Sequence, residues 1–254
     1  MKTFFVRFQR LSVALALLGG WAGPSHATPS STYWTPCVID IQGYKVGHIT
    51  YDNYTTIGKR PPHAGAFPND LGLTVGVLPF DKLQAEVGFD WMEPTNSPLY
   101  FNGKIGAPEG ALFAGAPALQ VGLFNVGVKK GVTDQDIGDL IVGRTLPKGL
   151  GRLHLGAYLG NARVLKNSSG DVANSGWMAA YDRGFLTTKG PDGEYSRVVL
   201  AGDYASGKNA FGGGGAGLYY YFTKNIDLLA GPVWFNDRGI NGEWKWTTQL
   251  DINF

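Results

Sequence analysis

Glu86 and Asp90 are the first residues that could do chemistry together, two carboxylates on one face of an alternating run. Four residues along a strand at about 3.3 Å each separate them by about 13 Å. Even an inverting glycosidase spans only about 6.5–9.5 Å between its carboxyl groups. They read as charges lining a polar face, not as an acid–base dyad. Asp134-Gln135-Asp136-Ile137-Gly138-Asp139 opens like a calcium loop. The later acidic closing ligand is lacking, so this stretch reads as a solvated loop. Gly212 to Gly215, followed by Ala216-Gly217, superficially suggests a phosphate loop. No Lys-Ser/Thr follows and no helix opens there. Beside Tyr219, Tyr220 and Tyr221, those glycines instead permit close packing or curvature.

The metal-ligating and nucleophilic residues are equally sparse. Beyond the amino terminus the histidines are His48, His63 and His154, and none forms a His-x-x-x-His pair. No serine stands at matched spacing beside His48 or His154, so the reading is of a chain without a catalytic site, metal or cofactor. Cys37 is alone, which excludes an intramolecular disulfide. It reads as a buried packing residue, with interchain pairing in an oxidising compartment as the alternative.

The positioning elements tell more. Residues 243–254 put Trp244, Trp246, Thr248, Leu250, Ile252 and Phe254 on one parity and Glu243, Lys245, Thr247, Gln249, Asp251 and Asn253 on the other. Side chains alternate along a strand, so one face is apolar and the other polar. At the other end, Lys2, Arg7 and Arg10 precede an apolar run, then Gly23-Pro24 and Ser25-His26-Ala27. That is the pattern of a secretory signal peptide, residues 1–27, cut after Ala27. The apolar run is short of the roughly 20 residues of a membrane-spanning helix. Three of the 22 basic residues and none of the 20 acidic ones lie in it, leaving 19 against 20, or −1. The formal +2 of the whole chain thus gives no case for nucleic-acid binding.

No other long apolar run occurs, yet hydrophobic residues reach 44% and charged ones only 17%, with 38 glycines. An exported, weakly charged chain with these features must pair its backbone within a closed barrel if it lies in lipid. Residues 28–45 lack sustained alternation and form a periplasmic lead-in segment, placed to pack at or inside the barrel mouth. Residues 46–254 then divide into twelve strand candidates: 46–57, 70–79, 83–92, 99–106, 118–129, 138–146, 152–160, 176–185, 196–206, 214–222, 226–235 and the terminal run. Tight connections alternate with longer ones, as in an antiparallel up-and-down transmembrane β-barrel, all-β, with both ends on the periplasmic side. In 118–129 the alternation fails, because Asn125 shares parity with Leu119, Val121 and Leu123; a bulge would restore it.

Charges facing lipid at mid-depth are costly, so the polar parity should face the lumen. The lumen candidates are Glu86, Asp90, Asn102, Lys104, Gln120, His154, Asp203, Lys245, Thr247 and Asp251. Trp91, Trp177, Tyr204, Trp234, Trp244 and Trp246 fall near strand ends, where amphipathic rings form girdles at both headgroup levels.

The spacing of Leu250, Ile252 and Phe254 resembles the terminal targeting motif of Gram-negative outer-membrane β-barrels, an aromatic last residue with apolar residues two and four before it. The resemblance extends over the chain as architecture and identifies a small porin-like protein, without reaching a particular porin family. It implies residence in the outer membrane among its lipids, and recognition of the last strand by the barrel-assembly machinery. Trimeric porins have some 16 strands; this chain is too short for that and is expected to be a monomer. The function expected is passive diffusion of small polar solutes. The alternative is a closed structural or scaffold barrel that binds a partner protein. The position of the lead-in separates the two.

Overall fold

The computed structural model describes residues 33–57 and 68–254. The expected signal peptide, residues 28–32 of the lead-in and most of the first long loop, including His63, lie outside these. Twelve strands follow in order: β1 (Gly47–Thr56), β2 (Asn69–Gly76), β3 (Gln84–Glu93), β4 (Leu99–Ala107), β5 (Ala118–Gly127), β6 (Asp134–Thr145), β7 (Arg152–Leu159), β8 (Ser175–Gly190), β9 (Gly193–Ala205), β10 (Gly213–Thr223), β11 (Ile226–Phe235) and β12 (Lys245–Asn253). Each pairs antiparallel with its neighbours in sequence, and β1 pairs with β12, so the sheet is a closed barrel. A single turn of helix, α1 (Arg238–Asn241), sits in the last long loop. Among the described residues no helix is long and apolar enough to cross a membrane.

Closure is made by nine consecutive Cα partners, from His48 opposite Asn253 to Thr56 opposite Lys245. Phe254 extends the seam: its N–H donates to Gly47 O and its carbonyl accepts from Gly47 N, both at 2.9 Å. Its ring lies where a side chain at position 47 would stand, so a larger residue there would have to displace it.

The bulge expected near Asn125 is present. Asn125 has φ 52°, and the register with β6 shifts between Phe124 and Val126. The partner strand β4 shifts between Phe101 and Gly103 at the same level. The extra residue turns Asn125 inward, where its N–H donates to Asn102 Oδ1 (3.0 Å) and its amide to Gln135 Oε1 (3.1 Å).

Two boundaries differ from the sequence reading. Asp134 and Asp136 are not in a loop; they begin β6. The β8–β9 hairpin is longer than the expected ends at 185 and 196, with Pro191-Asp192 alone as its turn. Polar Thr187, Thr188 and Lys189 belong to the strand because they pair with Ser196, Tyr195 and Glu194 beyond the barrel wall.

The barrel exterior is apolar. Leu71, Val87, Phe89, Leu119, Val121, Leu155, Leu200 and Leu218 are all exposed on it. A soluble protein could not leave such a belt wet at about 25 cal/mol per Å² of apolar surface. The interior has two arcs. From β12 through β1 to β5 it is mainly polar, whereas from β6 to β11 Ile137, Ile141, Met178, Leu229 and Val233 face inward, each at most 1% exposed. The expectation that the inward parity is polar therefore fails at these positions of β6 to β11, for a reason given next, although Asp139, His154, Asp203 and Asp227 on the same arc are buried polar residues.

Candidate functional site

Residues 33–42 of the lead-in lie inside the barrel and cover the apolar arc. Tyr33, Thr35 and Cys37 are completely buried, and Val38 and Gln42 nearly so. Two apolar clusters form between segment and wall: Tyr33 with Tyr219, Leu229, Val233 and Phe235, and Cys37 with Ile137, Ile141, Tyr158 and Met178. Without the segment those side chains would face water, so it completes the core as well as occupying the lumen. The Gly-rich stretch of β10 now has a use. A side chain at Gly215, Gly217 or Gly231 would collide with Tyr33, whose ring meets Tyr219 edge-on at 5.8 Å.

Polar anchors hold the segment along its length. Near the long-loop end, one carboxylate oxygen of Asp203 accepts from the N–H groups of Trp34 (2.9 Å) and Thr35 (2.6 Å), and the other from Gly215 N (3.0 Å). Trp34 Nε1 donates to Phe211 O at 2.7 Å, and Gln249 Nε2 to Tyr33 O at 3.2 Å. Near the opposite end, the end bearing the chain terminus, Arg152 grips Asp40 with both Nη atoms at 2.7 Å. Its Nε donates to Asp182 at 2.9 Å, which also contacts His154 Nε2 at 2.9 Å. Burial pushes the Asp40 carboxyl up, but the Arg152 charge and its hydrogen bonds more than offset this and hold it below the usual range. Gln42 N donates to Glu86 Oε2 at 2.6 Å. Burial, with Asp203 and Asp139 nearby, pushes the Cys37 thiol up, so it stays protonated. Cys37 is a packing residue with no surface from which to cross-link.

The ten lumen candidates occupy the inner wall. Glu86 and Lys104 are both buried and paired at 3.4 Å. Asp90 accepts from Asn102 Nδ2. Gln120 is buried on the next strand. Lys245 lies over the Phe235 ring, 5.5 Å from its centre, and Thr247 Oγ1 donates to Asn53 O at 3.1 Å. Asp251 stands 3.4 Å from His48 Nε2, whose other ring nitrogen meets Asn253 Oδ1 at 2.8 Å. No serine or threonine hydroxyl among the described residues is hydrogen-bonded to His48 or His154. Nor, among the described residues, do three His, Cys, Asp or Glu side chains converge as a metal site would require.

Between segment and polar arc lies a cavity of about 250 Å³. Pro68, Ala210 and Asn241 rim it at the long-loop end, Asp52, Asp70, Asp90 and Asn102 line it, and Glu86 and Lys104 lie at its depth. Below, Ile41 packs into the gap at Gly106, and the Gly43 carbonyl fills the place of a side chain at Gly76. The space is thus a vestibule reached from the long-loop end and shut by Gln42, Glu86 and Lys104. Sequence reasoning missed Asp40, Asp52, Asp70, Arg152 and Asp182. Only the inward parity of Asp52 and Asp70 could have signalled the vestibule; the Arg152–Asp40 contact joins residues more than a hundred apart.

The aromatic residues are distributed unevenly. Trp91, Trp177, Trp234, Trp244 and Trp246 are exposed on the exterior, and half-buried Tyr204 packs against Trp177 at 5.1 Å. All six sit at the long-loop end, because they close outgoing strands or open returning ones. At the opposite rim Phe80, Phe185 and Phe222 are exposed instead. Leu250 is exposed on the outer face of β12 and Ile252 is half-buried.

No protein-family model and no curated protein matches the sequence. Solved structures with a similar fold include the KdgM porin, at 10% identity and TM-score 0.50, covering 82% of this chain and 99% of that one. The NanC porin has 9% identity and TM-score 0.48, with 83% and 98% covered. A mutant Rh. blastica porin has 10% identity and TM-score 0.40, with 74% and 55% covered. At such identities the likeness is one of fold. The closed barrel and apolar exterior define a membrane β-barrel of twelve strands, with a fold similar to that of the KdgM porin. The lumen of this chain is partly occupied by residues 33–42 of its own lead-in.

Proposed function

We propose that this chain is a monomeric outer-membrane barrel, exported by residues 1–27, that acts as a gated porin-like channel for small polar solutes and is closed at rest. The observation that carries this reading is the vestibule: it runs from the long-loop rim to the level of Glu86 and Lys104, where the Gln42–Glu86 backbone contact and the Lys104–Glu86 ion pair close it. Short connections mark the periplasmic side of such barrels and long ones the outside. Solutes therefore enter from outside, and passage requires the floor at Gln42 to yield. The polar arc offers a path beside the segment, so the apolar clusters can stay dry while the floor opens.

The alternative, a permanently closed scaffold barrel binding a partner protein, draws support from the apolar arc, which needs the segment in place. Planar-bilayer conductance separates the two. The native barrel is expected to be silent, and Glu86→Ser combined with Lys104→Ser to give ohmic openings. A folded double variant as silent as the native barrel would reject the gate in favour of the scaffold.

A further inference from the structure

Among the described residues, four carboxyl groups (Asp52, Asp70, Glu86 and Asp90) line the vestibule against one lysine, Lys104. Asp52 and Asp70 are directly opposite partners on β1 and β2. Asp90, two residues before the partner of Asp70 on β3, is its diagonal neighbour on the same face. Like charges directly opposite each other destabilise a strand pair, and diagonal neighbours lie about 7–8 Å apart. The cation lining the space, Lys104, is already set against Glu86 at its floor.

These carboxylates also have few internal partners. Asp52 is 6% exposed and lines the vestibule, yet its hydrogen bond among the described residues is the one that Thr50 Oγ1 donates to Oδ1, at 2.6 Å, leaving Oδ2 free. Asp70 Oδ1 is buried without any partner. A buried, unpaired acceptor costs about 1–3 kcal/mol, more if charged. Aromatic faces complete the wall. Trp34 and Tyr54 stand edge to face at 5.8 Å beside Asp52, and Phe211 adjoins them. Such rings attract an ammonium group within about 6 Å.

We infer that the vestibule binds a small organic cation with more than one ammonium group, a polyamine in shape and charge, entering from the long-loop side. A single metal ion does not suit it, because the carboxylates are spread over three strands and do not converge. The Lys104–Glu86 pair closes the floor beneath the carboxylates, so the site captures the cation and retains it in the vestibule.

This inference rests on the vestibule of the proposed channel but not on its conduction. The test is calorimetric titration of the purified full barrel in detergent micelles with spermidine, with Mg²⁺ and sucrose as comparators. Saturable binding of one spermidine per barrel is expected, with quenching of tryptophan fluorescence through Trp34. Asp52→Asn, Asp70→Asn and Asp90→Asn together should weaken it at least tenfold. Asp70→Asn alone, the milder change if the triple variant does not fold, should weaken it about threefold. No saturable heat, affinity unchanged in the variants, or Mg²⁺ binding as tightly as spermidine would each overturn the inference. A conducting native barrel that still binds spermidine would instead remove the closed resting state and leave this site standing.

Discussion

Arg152→Met removes the clasp at the lower end of the plug while keeping most of the stem that packs beside it. The guanidinium makes two 2.7 Å contacts to Asp40 and one of 2.9 Å to Asp182. Its side chain is 30% exposed, and those of Asp40 and Asp182 are 16% and 17% exposed. Breaking a fully buried pair by removing one partner costs about 3–5 kcal/mol, and an exposed pair is worth about 0–1. This half-screened clasp falls between, at about 2 kcal/mol. Two carboxylates are then left facing each other without a cation, which favours release of the segment over any new closed packing. At about 1.4 kcal/mol per tenfold, the equilibrium for local opening shifts about 30-fold. Hydrogen exchange in detergent reads this directly. The amides of Ile39 and Gln42, bonded to His154 and Glu86 in the closed form, should exchange about 30-fold faster. Amides of β9 and β10 should be unchanged. Arg152→Lys, which keeps the charge but not the fork, should lie between. Unchanged protection at Ile39 and Gln42, or an equal loss in every strand, would refute the idea that Arg152 holds the segment locally.

Three further outcomes follow from the geometry. The Asp40 carboxyl is held below its ordinary range, so its contribution to closure is complete above that range and lost as pH falls through the lowered value. Exchange at Gln42, whose amide donates to the Glu86 carboxylate, should be flat from pH 8 to 5 once corrected for intrinsic rates, and rise only below about pH 4; a rise centred near pH 6 would contradict this. Asn125→Val places a β-branched residue at φ 52° and should destabilise the barrel by about 1–3 kcal/mol, with Asn125→Gly milder in the same urea titration. Leu155→Arg puts a charge on the exposed lipid face of β7 and should cost about 2–4 kcal/mol in lipid vesicles; a neutral result would mean that this face is not at the bilayer midplane.

Much of the barrel was legible because lipid and lumen impose opposite demands on alternate residues. Leu83 to Met92 shows the rule: Val87, Phe89 and Trp91 are exposed while Glu86 is buried. The same rule found the fault at Asn125, since only an added residue could return an amide to the polar face. It failed where a second chain segment replaced water. Ile137, Leu229 and Val233 point inward because Tyr33 and Cys37 cover them, and alternation carries no mark of what lies across the lumen. Asp134 and Asp136 read as loop by composition, although β6 pairs Asp134 with Val126. Charge partners were the least visible of all. Asp203 meets Trp34 and Arg152 meets Asp40 only after the barrel closes.

Conductance of the native barrel in planar bilayers, beside Glu86→Ser/Lys104→Ser, tests the central claim most directly. The account predicts silence from the native protein and ohmic openings from the double variant. Steady ohmic openings from the native barrel, with residues 33–46 intact, would contradict it.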